Sequence, residues 1–272
     1  MFSILVTIDE GWMAAVGFLR AYRRQSVIFL VVYLAAAGIG LSNWVHLPLP
    51  VWLSGLVLTW GLGAIGLVVL APVWTSVYRF AVLGDGNRRY WQFDTRTWRV
   101  LVVMLIMATV MLVGAIPFAI GLDVLPALGV RRLFVAIVVV IAFAVKYLAF
   151  WLNARLGIAP AMAAAGTRQQ AMDTSWTYTR RASLRVLGMM LLIYLPMLCI
   201  AASFVALAVL FRFPPGSTGA MVLTAMNALM TTMVSAATDL VWAAVTGRLA
   251  LKLVKAYRQR AAELSGDQLA EG

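Results

Sequence analysis

Six long apolar stretches dominate the chain, and they alternate with short segments rich in arginine. Each stretch has about the 20 apolar residues that a helix needs to cross the hydrocarbon core of a bilayer. Prolines mark the turn within each successive pair of stretches, at Pro48 and Pro50, at Pro126, and at Pro214 and Pro215. The pattern predicts an all-α integral membrane bundle of six transmembrane helices, with spans at 26–45, 51–77, 100–122, 133–152, 186–211 and 220–245.

Two further stretches are amphipathic rather than uniformly apolar. In residues 8–24, Trp12, Val16 and Leu19 recur at helical spacing beside arginines, and the long connection 153–185 has a similar mixed character. Both patterns predict helices that lie in the cytoplasmic interface of the membrane.

One domain accounts for the chain. We predict a single six-helix transmembrane domain at 1–260, followed by a flexible cytoplasmic tail at 261–272. The apolar run at 1–8 is too short for the core of a signal peptide, so no cleaved signal is expected.

Composition supports the membrane interpretation. Of the 272 residues, 63% are apolar and 12% are charged, whereas soluble domains average about 45–50% and about 25%. A soluble fold of this size cannot bury so much apolar surface, and a disordered chain would be far less apolar. Cys199 is the only cysteine, which excludes a disulfide scaffold.

The basic residues are distributed unevenly between the two sides of the predicted bundle. The net charge is +12, and 18 of the 22 Lys and Arg lie on the side of the termini. By the positive-inside rule this side is cytoplasmic, so both termini are predicted inside the cell. Topology and anionic headgroups account for the charge without nucleic acid. The predicted anionic-lipid contacts are Arg23, Arg24, Arg180, Arg181, Lys252, Lys255 and Arg258.

The spans also show a weak internal repeat. Each even-numbered span ends with an arginine followed by an apolar residue, at Arg79, Arg155 and Arg248. Three duplicated hairpins would produce this pattern, but so would the general likeness of cytoplasmic span ends.

Residues for metal or nucleophilic chemistry are scarce. One histidine, His46, and one cysteine cannot make a zinc or two-metal site, so neither metal, cofactor nor catalytic residue is predicted. The run from Gly61 to Gly66 matches the GxGxxG pattern, but it lies inside an apolar span rather than after a strand. These glycines are expected to let another helix approach closely.

Two charged residues, Lys146 and Asp239, lie within apolar spans. A charge at such depth is costly and suggests a functional residue by default. The two residues lie at similar depth, which predicts an ion pair between them. Snorkelling of Lys146 to the interface is one alternative, and a role in substrate or proton binding is another.

The sixth span also carries a polar stripe on one helical face. Its members recur at spacings of three and four residues and adjoin Asp239: Thr224, Asn227, Thr231, Ser235 and Thr238. Polar groups facing lipid would lack partners, so the stripe is expected to face the bundle. It would form interhelical hydrogen bonds or line a hydrophilic cavity.

Several short runs resemble a known membrane family. They are Ala154-Arg-Leu-Gly-Ile-Ala-Pro, Ser175-Trp-Thr-Tyr-Thr-Arg180, Tyr78-Arg-Phe-Ala-Val-Leu-Gly84 and Ala21-Tyr-Arg-Arg24. Together they resemble uncharacterised bacterial six-helix membrane proteins related to the membrane domain found beside glycerophosphoryl diester phosphodiesterases. The resemblance implies a six-helix fold and a location in the bacterial inner membrane. It implies no particular activity.

The predicted function is therefore that of a non-catalytic inner-membrane protein in envelope or membrane organisation. The alternative is a small transporter or lipid-handling protein with a cavity lined by the stripe, Lys146 and Asp239. A carrier should have a cavity that reaches the midplane, whereas a scaffold should have a packed interior. Membrane lipids are the expected partners, and the sequence identifies no protein partner.

Overall fold

The computed structural model of the chain describes residues 3–41, 51–84, 93–121, 125, 129, 131–166, 171–211 and 217–270. Regular structure in these residues is helical throughout, which confirms the all-α class. The principal helices are α1 (Ile4–Ala21), α2 (Arg23–Leu41), α3 (Val51–Leu83), α4 (Thr95–Ala119), α5 (Arg132–Leu156), α6 (Ala159–Ala165), α7 (Ala171–Thr179), α8 (Ser183–Phe211) and α9 (Thr218–Ala270).

Five of these helices, α3, α4, α5, α8 and α9, are long and apolar enough to cross a membrane. These helices are consistent with the predicted multi-pass membrane protein. The predicted first span, 26–45, coincides with α2 as far as residue 41, and its last four residues lie outside the described part of the chain. Six spans therefore remain a prediction.

Several helices run past the predicted span ends. The fourth helix begins at Thr95 rather than at residue 100, because Asp94 caps it by accepting a hydrogen bond of 2.8 Å from the Thr97 backbone. The last helix is 53 residues long and continues through 261–270, where the sequence predicts a flexible tail. The third helix continues to Leu83 and ends before Gly84, whose φ of +72° suits glycine.

The buried residues gather at one end of the bundle, here called the packed end, at 7–18, 70–81, 97–103, 153–164, 186–193 and 236–250. The same helices continue into the open end, at 60–68, 106–116, 133–148, 195–211 and 218–235, where large apolar side chains are exposed. The packed end coincides with the side that carries most of the arginines.

The short helix α6 lies inside the packed end, between α3, α4 and α9. Its residues from Ala159 to Ala164 are all buried. The sequence predicts that this part of the 153–185 connection is an amphipathic helix at the membrane interface, but α6 is enclosed by other helices. The reason is composition: α6 has no charge, and its alanines let the surrounding helices approach closely.

Helix α1 packs across the packed end, against α9, α3 and α8. Its inner face is made of Thr7, Gly11, Ala14, Ala15 and Phe18. A Cβ atom on Gly11 would overlap the backbone of Val245, so glycine is required where α1 meets α9. The opposite face exposes apolar side chains, including Leu5, Trp12, Met13 and Leu19.

One expectation about close helix approach is not met. A Cβ atom built on Gly61, Gly63 or Gly66 meets no described atom within 4 Å. Close contacts occur instead at Gly247, which faces Ala81, and at Gly114, which faces Ala149. The glycines of the GxGxxG match lie in the open end, where α3 has few neighbours.

Candidate functional site

The most distinctive polar cluster surrounds Asp239 on α9. The hydroxyl of Tyr33 on α2 donates a hydrogen bond of 2.6 Å to Oδ2, and the hydroxyl of Tyr194 on α8 donates one of 2.6 Å to Oδ1. Hydrogen bonds to a carboxylate are short and about twice as strong as neutral ones. The carboxylate therefore links three helices at the point where the packed end gives way to the open end.

Aromatic side chains enclose this cluster from α2 and α3. The Phe29 ring lies 4.7 Å from the ring of Tyr33 and 5.1 Å from that of Trp74, measured between centroids. Tyr78 on α3 is buried and lies within electrostatic range of Asp239. The cluster is thus one carboxylate hydrogen-bonded by two tyrosines, with Tyr78 nearby and aromatic rings around it.

The predicted ion pair between Lys146 and Asp239 is wrong. Both carboxylate oxygens are bound by tyrosines, while the Lys146 ammonium lies 5.4 Å from the centre of the Phe150 ring on its own helix. The lateral order of the helices explains the difference. Helix α5 packs against α4, α8 and α7, whereas Asp239 faces α2 and α8.

The polar stripe of the sixth predicted span contributes little to contacts between helices. Thr224, Thr231 and Thr238 each donate a hydrogen bond to a carbonyl one turn earlier in α9, at 2.8, 2.6 and 2.9 Å. Burial increases along the stripe, from the exposed Thr224 through the partly buried Asn227 and Ser235 to the buried Thr238. Apart from the exposed Thr224, the stripe is thus at least partly buried, and it is fully buried only at Thr238.

The predicted lipid-binding cations are mostly accessible. Arg23, Arg24, Arg180, Arg181 and Lys255 are exposed at the packed end, and the side chain of Arg258 lies outside the described residues. Lys252 differs, because its ammonium lies 2.8 Å from Glu10 and donates to Thr7 at 3.2 Å. It joins α9 to α1.

Arg155 is a structural residue that sequence reasoning missed. It is 5% exposed, and its guanidinium lies 4.0 Å from the centre of the Trp176 ring and 5.5 Å from that of Trp151. It donates to the carbonyls of Trp176 at 2.8 Å and of Arg180 at 3.4 Å, at the end of α7. Its own carbonyl accepts from Ser175 and Thr179. Arg155 thereby fixes α7 against α5.

The tyrosines around Asp239 were also missed. A sequence signal exists, because Tyr33 lies nine positions after Arg24, Tyr194 nine after Arg185, and Asp239 nine before Arg248. Equal spacing from the basic ends of the helices predicts that the three residues lie at the same depth. That depth is about 14 Å from the arginines, at 1.5 Å per residue. A buried tyrosine hydroxyl usually has a hydrogen-bond partner.

A separate groove lies between α8 and α9 at the open end. Its volume is about 330 Å³, and its lining is mostly apolar, with Leu207, Phe211, Val222 and Met226 among the residues that form it. Neither Asp239 nor the polar stripe lines this groove.

Comparison with known proteins finds no match for the chain among protein-family models, curated proteins or solved structures.

Proposed function

We propose that the chain is a non-catalytic protein of the bacterial inner membrane that organises lipid at the cytoplasmic surface. In this proposal it has six spans and both termini in the cytoplasm. The observation that carries the proposal is the coincidence of two features at one end of the bundle. The helices pack tightly at the packed end, and exposed arginines and lysines surround that same end.

Helix α1 supports a lipid-facing role for the packed end. Its inner face binds the bundle, and its outer face exposes Leu5, Trp12 and Met13 by 53–73%. Such a face is stable when its apolar groups enter the acyl boundary of a leaflet and nearby cations contact anionic headgroups. Arg23 and Arg24 begin α2, one residue after the end of α1, and are exposed.

The polar groups within the spans favour an organising role over chemistry on a substrate. The oxygens of Asp239 are bound by tyrosines, and the stripe threonines bond to their own helix. These contacts join or stabilise helices.

A lipid-handling protein is the second candidate, and the groove between α8 and α9 favours it. An apolar groove that opens at the side of two predicted spans suits an acyl chain better than a polar solute. The predicted cavity lined by the polar stripe is not this groove.

The test is a comparison of lipid retained by purified variants. In the first variant Arg23, Arg24, Arg180, Arg181 and Lys255 are changed to Gln. The matched control changes the exposed Arg131 and Arg132, on the side of the bundle with few basic residues, to Gln. Each cation near an anionic surface contributes roughly 1 kcal/mol, or about fivefold in affinity.

We expect the first variant to lose its enrichment in anionic lipid and the control to keep it. Equal lipid composition in wild type and both variants would overturn the proposal. Cysteine labelling of residues 46–50 and 214–216 from outside the cell, and of residues 87–92 only after permeabilisation, tests the orientation.

A further inference from the structure

We propose that Asp239 is a proton-binding site. A proton bound to one of its oxygens replaces the hydrogen bond that Tyr33 or Tyr194 donates to that oxygen. The inference goes beyond a role in lipid organisation and does not depend on it. The basis is the geometry of the cluster, in which two tyrosine hydroxyls each donate to a different oxygen of one carboxylate.

The geometry of the cluster fits two protonation states. With the carboxyl group ionised, both of its oxygens accept from a tyrosine; with it protonated, one oxygen donates to a tyrosine oxygen at the same 2.6 Å separation. Tyrosine donors bring no positive charge. Lys146 lies on a different helix, α5, where its ammonium is 5.4 Å from the centre of the Phe150 ring. In the ionised state one negative charge is enclosed by α2, α8 and α9 without a cation among the described partners.

An unpaired negative charge within the membrane domain carries a free-energy cost, and one neighbouring unit of positive charge removes that cost. The elements packed around α9 limit where this charge can come from. Tyr33 from α2 and Tyr194 from α8 contact Asp239, and α3 brings the buried Tyr78 near it. Helix α6 brings only alanine, proline and methionine.

The remaining contacts of α9 lie closer to its C-terminus. Helix α1 meets it through Glu10, which is paired with Lys252, and α7 meets it through the rings of Tyr178 and Tyr257, 4.8 Å apart. No described arginine or lysine is therefore placed to neutralise Asp239.

The size of the site favours a proton over an alkali-metal ion. The donor and acceptor oxygens are 2.6 Å apart, so the tyrosine protons occupy the space in front of each carboxylate oxygen. A metal ion bound there would have to displace these protons and would need several oxygen lone pairs around it. Among the described residues no group of three His, Cys, Asp or Glu supplies further charged ligands.

Proton uptake has a mechanical consequence. The proton forms an O–H bond on one oxygen of Asp239, and that oxygen becomes a donor. The tyrosine that donated to it must then turn its own proton away. The carboxyl group is then neutral, so both links, to α2 and to α8, lose their charge assistance and weaken. Proton release restores both links and tightens the three helices.

Infrared difference spectroscopy of the full-length protein in lipid vesicles tests the site. The pH is varied across the range in which the protein stays folded, and the C=O band of a protonated carboxylic acid is recorded. We expect a band that disappears as the pH rises in wild type and is missing in Asp239→Asn. The exposed Asp173→Asn should leave this band unchanged.

The tyrosines give a second measurement that does not need Asp239→Asn to fold. Tyr33→Phe and Tyr194→Phe each remove one donor to the ionised form, so the midpoint of the band should move to higher pH by about one to two units. Tyr147→Phe, a change at an exposed tyrosine on α5, should not move it.

Three results would overturn the proposal. They are a band unaffected by Asp239→Asn, a midpoint that both tyrosine variants leave in place, and a midpoint set by the sodium or potassium concentration. The last result would assign the site to an alkali-metal ion instead.

Discussion

The packed end and the open end belong to the same helices and are similarly apolar, yet their side chains are buried to very different extents. On α8, Val186 and Met189 are fully buried, whereas Leu195 and Leu210 are 50% and 75% exposed. Apolar character therefore does not decide where the helices pack. Lipid tails are as apolar as these side chains, so moving an apolar side chain from lipid into a helix contact gains little free energy. Small residues and polar hydrogen bonds decide which helices pack closely instead. The packed end contains both, in α6 and in the hydrogen bonds of Asp239 and Arg155.

The largest difference between the two ends should follow from removing an aromatic side chain. Phe18 is 1% exposed and packs on the rings of Tyr22 and Phe80, with centroids 5.1 and 6.0 Å away. Phe18→Ala should lower the free energy of unfolding by about 3–5 kcal/mol, because it leaves a cavity. Phe134→Ala, at a residue 53% exposed in the open end, should change it by less than about 0.5 kcal/mol. Chemical unfolding in mild detergent measures both, and equal losses would contradict the distinction between the ends.

Arg155→Met should have the next largest effect. It removes two hydrogen bonds from a charged donor and leaves the carbonyls of Trp176 and Arg180 without them, at a cost of about 3 kcal/mol. Arg155→Lys should recover little, because an ammonium cannot stack between two indole rings. The exposed Arg181→Met is the control. Full stability of Arg155→Lys would refute the role given to the planar guanidinium.

At the boundary between the two ends, a double-mutant cycle distinguishes the tyrosine cluster from the ion pair that depth suggests. Tyr194→Phe combined with Asp239→Asn should show a coupling of about 2 kcal/mol, because the two groups share a charge-assisted bond. Lys146→Met combined with Asp239→Asn should be additive within about 0.5 kcal/mol. A large coupling in the second cycle would restore the ion pair.

The smallest effect is expected at the edge of the packed end. The side chains of Lys252 and Glu10 are 28% and 41% exposed, so solvent screens their attraction. Glu10→Gln should cost less than about 1 kcal/mol, and the loss should decrease as salt is added. A loss that salt leaves unchanged would show that Glu10 acts through packing rather than charge.

The sequence predicts the long apolar helices well because a long apolar run in a membrane has few alternatives to a helix. It predicts the ends of helices poorly. Asp94 extends α4 by five residues before the apolar run begins, and α9 continues far beyond its apolar part. Local capping and helix propensity, rather than hydropathy, set these boundaries.

The sequence predicts how deep the site residues lie along their helices, but not which neighbouring helices they contact. Lys146 lies nine positions before Arg155, the same spacing that relates Asp239 to Arg248 and Tyr194 to Arg185. Depth alone therefore leaves Lys146 and Tyr194 as equally good candidates for the partner of Asp239. The choice depends on which helices are neighbours, and this follows from the packing of α9 against α2 and α8.

The contact of Gly11 with Val245 also bears on how the chain assembles during synthesis. These residues are more than 200 positions apart in the sequence, and α9 contacts α1, α2, α3 and α6, all of which precede it. The spans can enter the bilayer one after another, but the tight core can close only after α9 has emerged from the ribosome. Until then α6 can pack against α3 and α4 but not against α9. The contacts of α9 with the earlier helices can therefore form only after α9 has been synthesised, so this part of the tertiary structure is completed late.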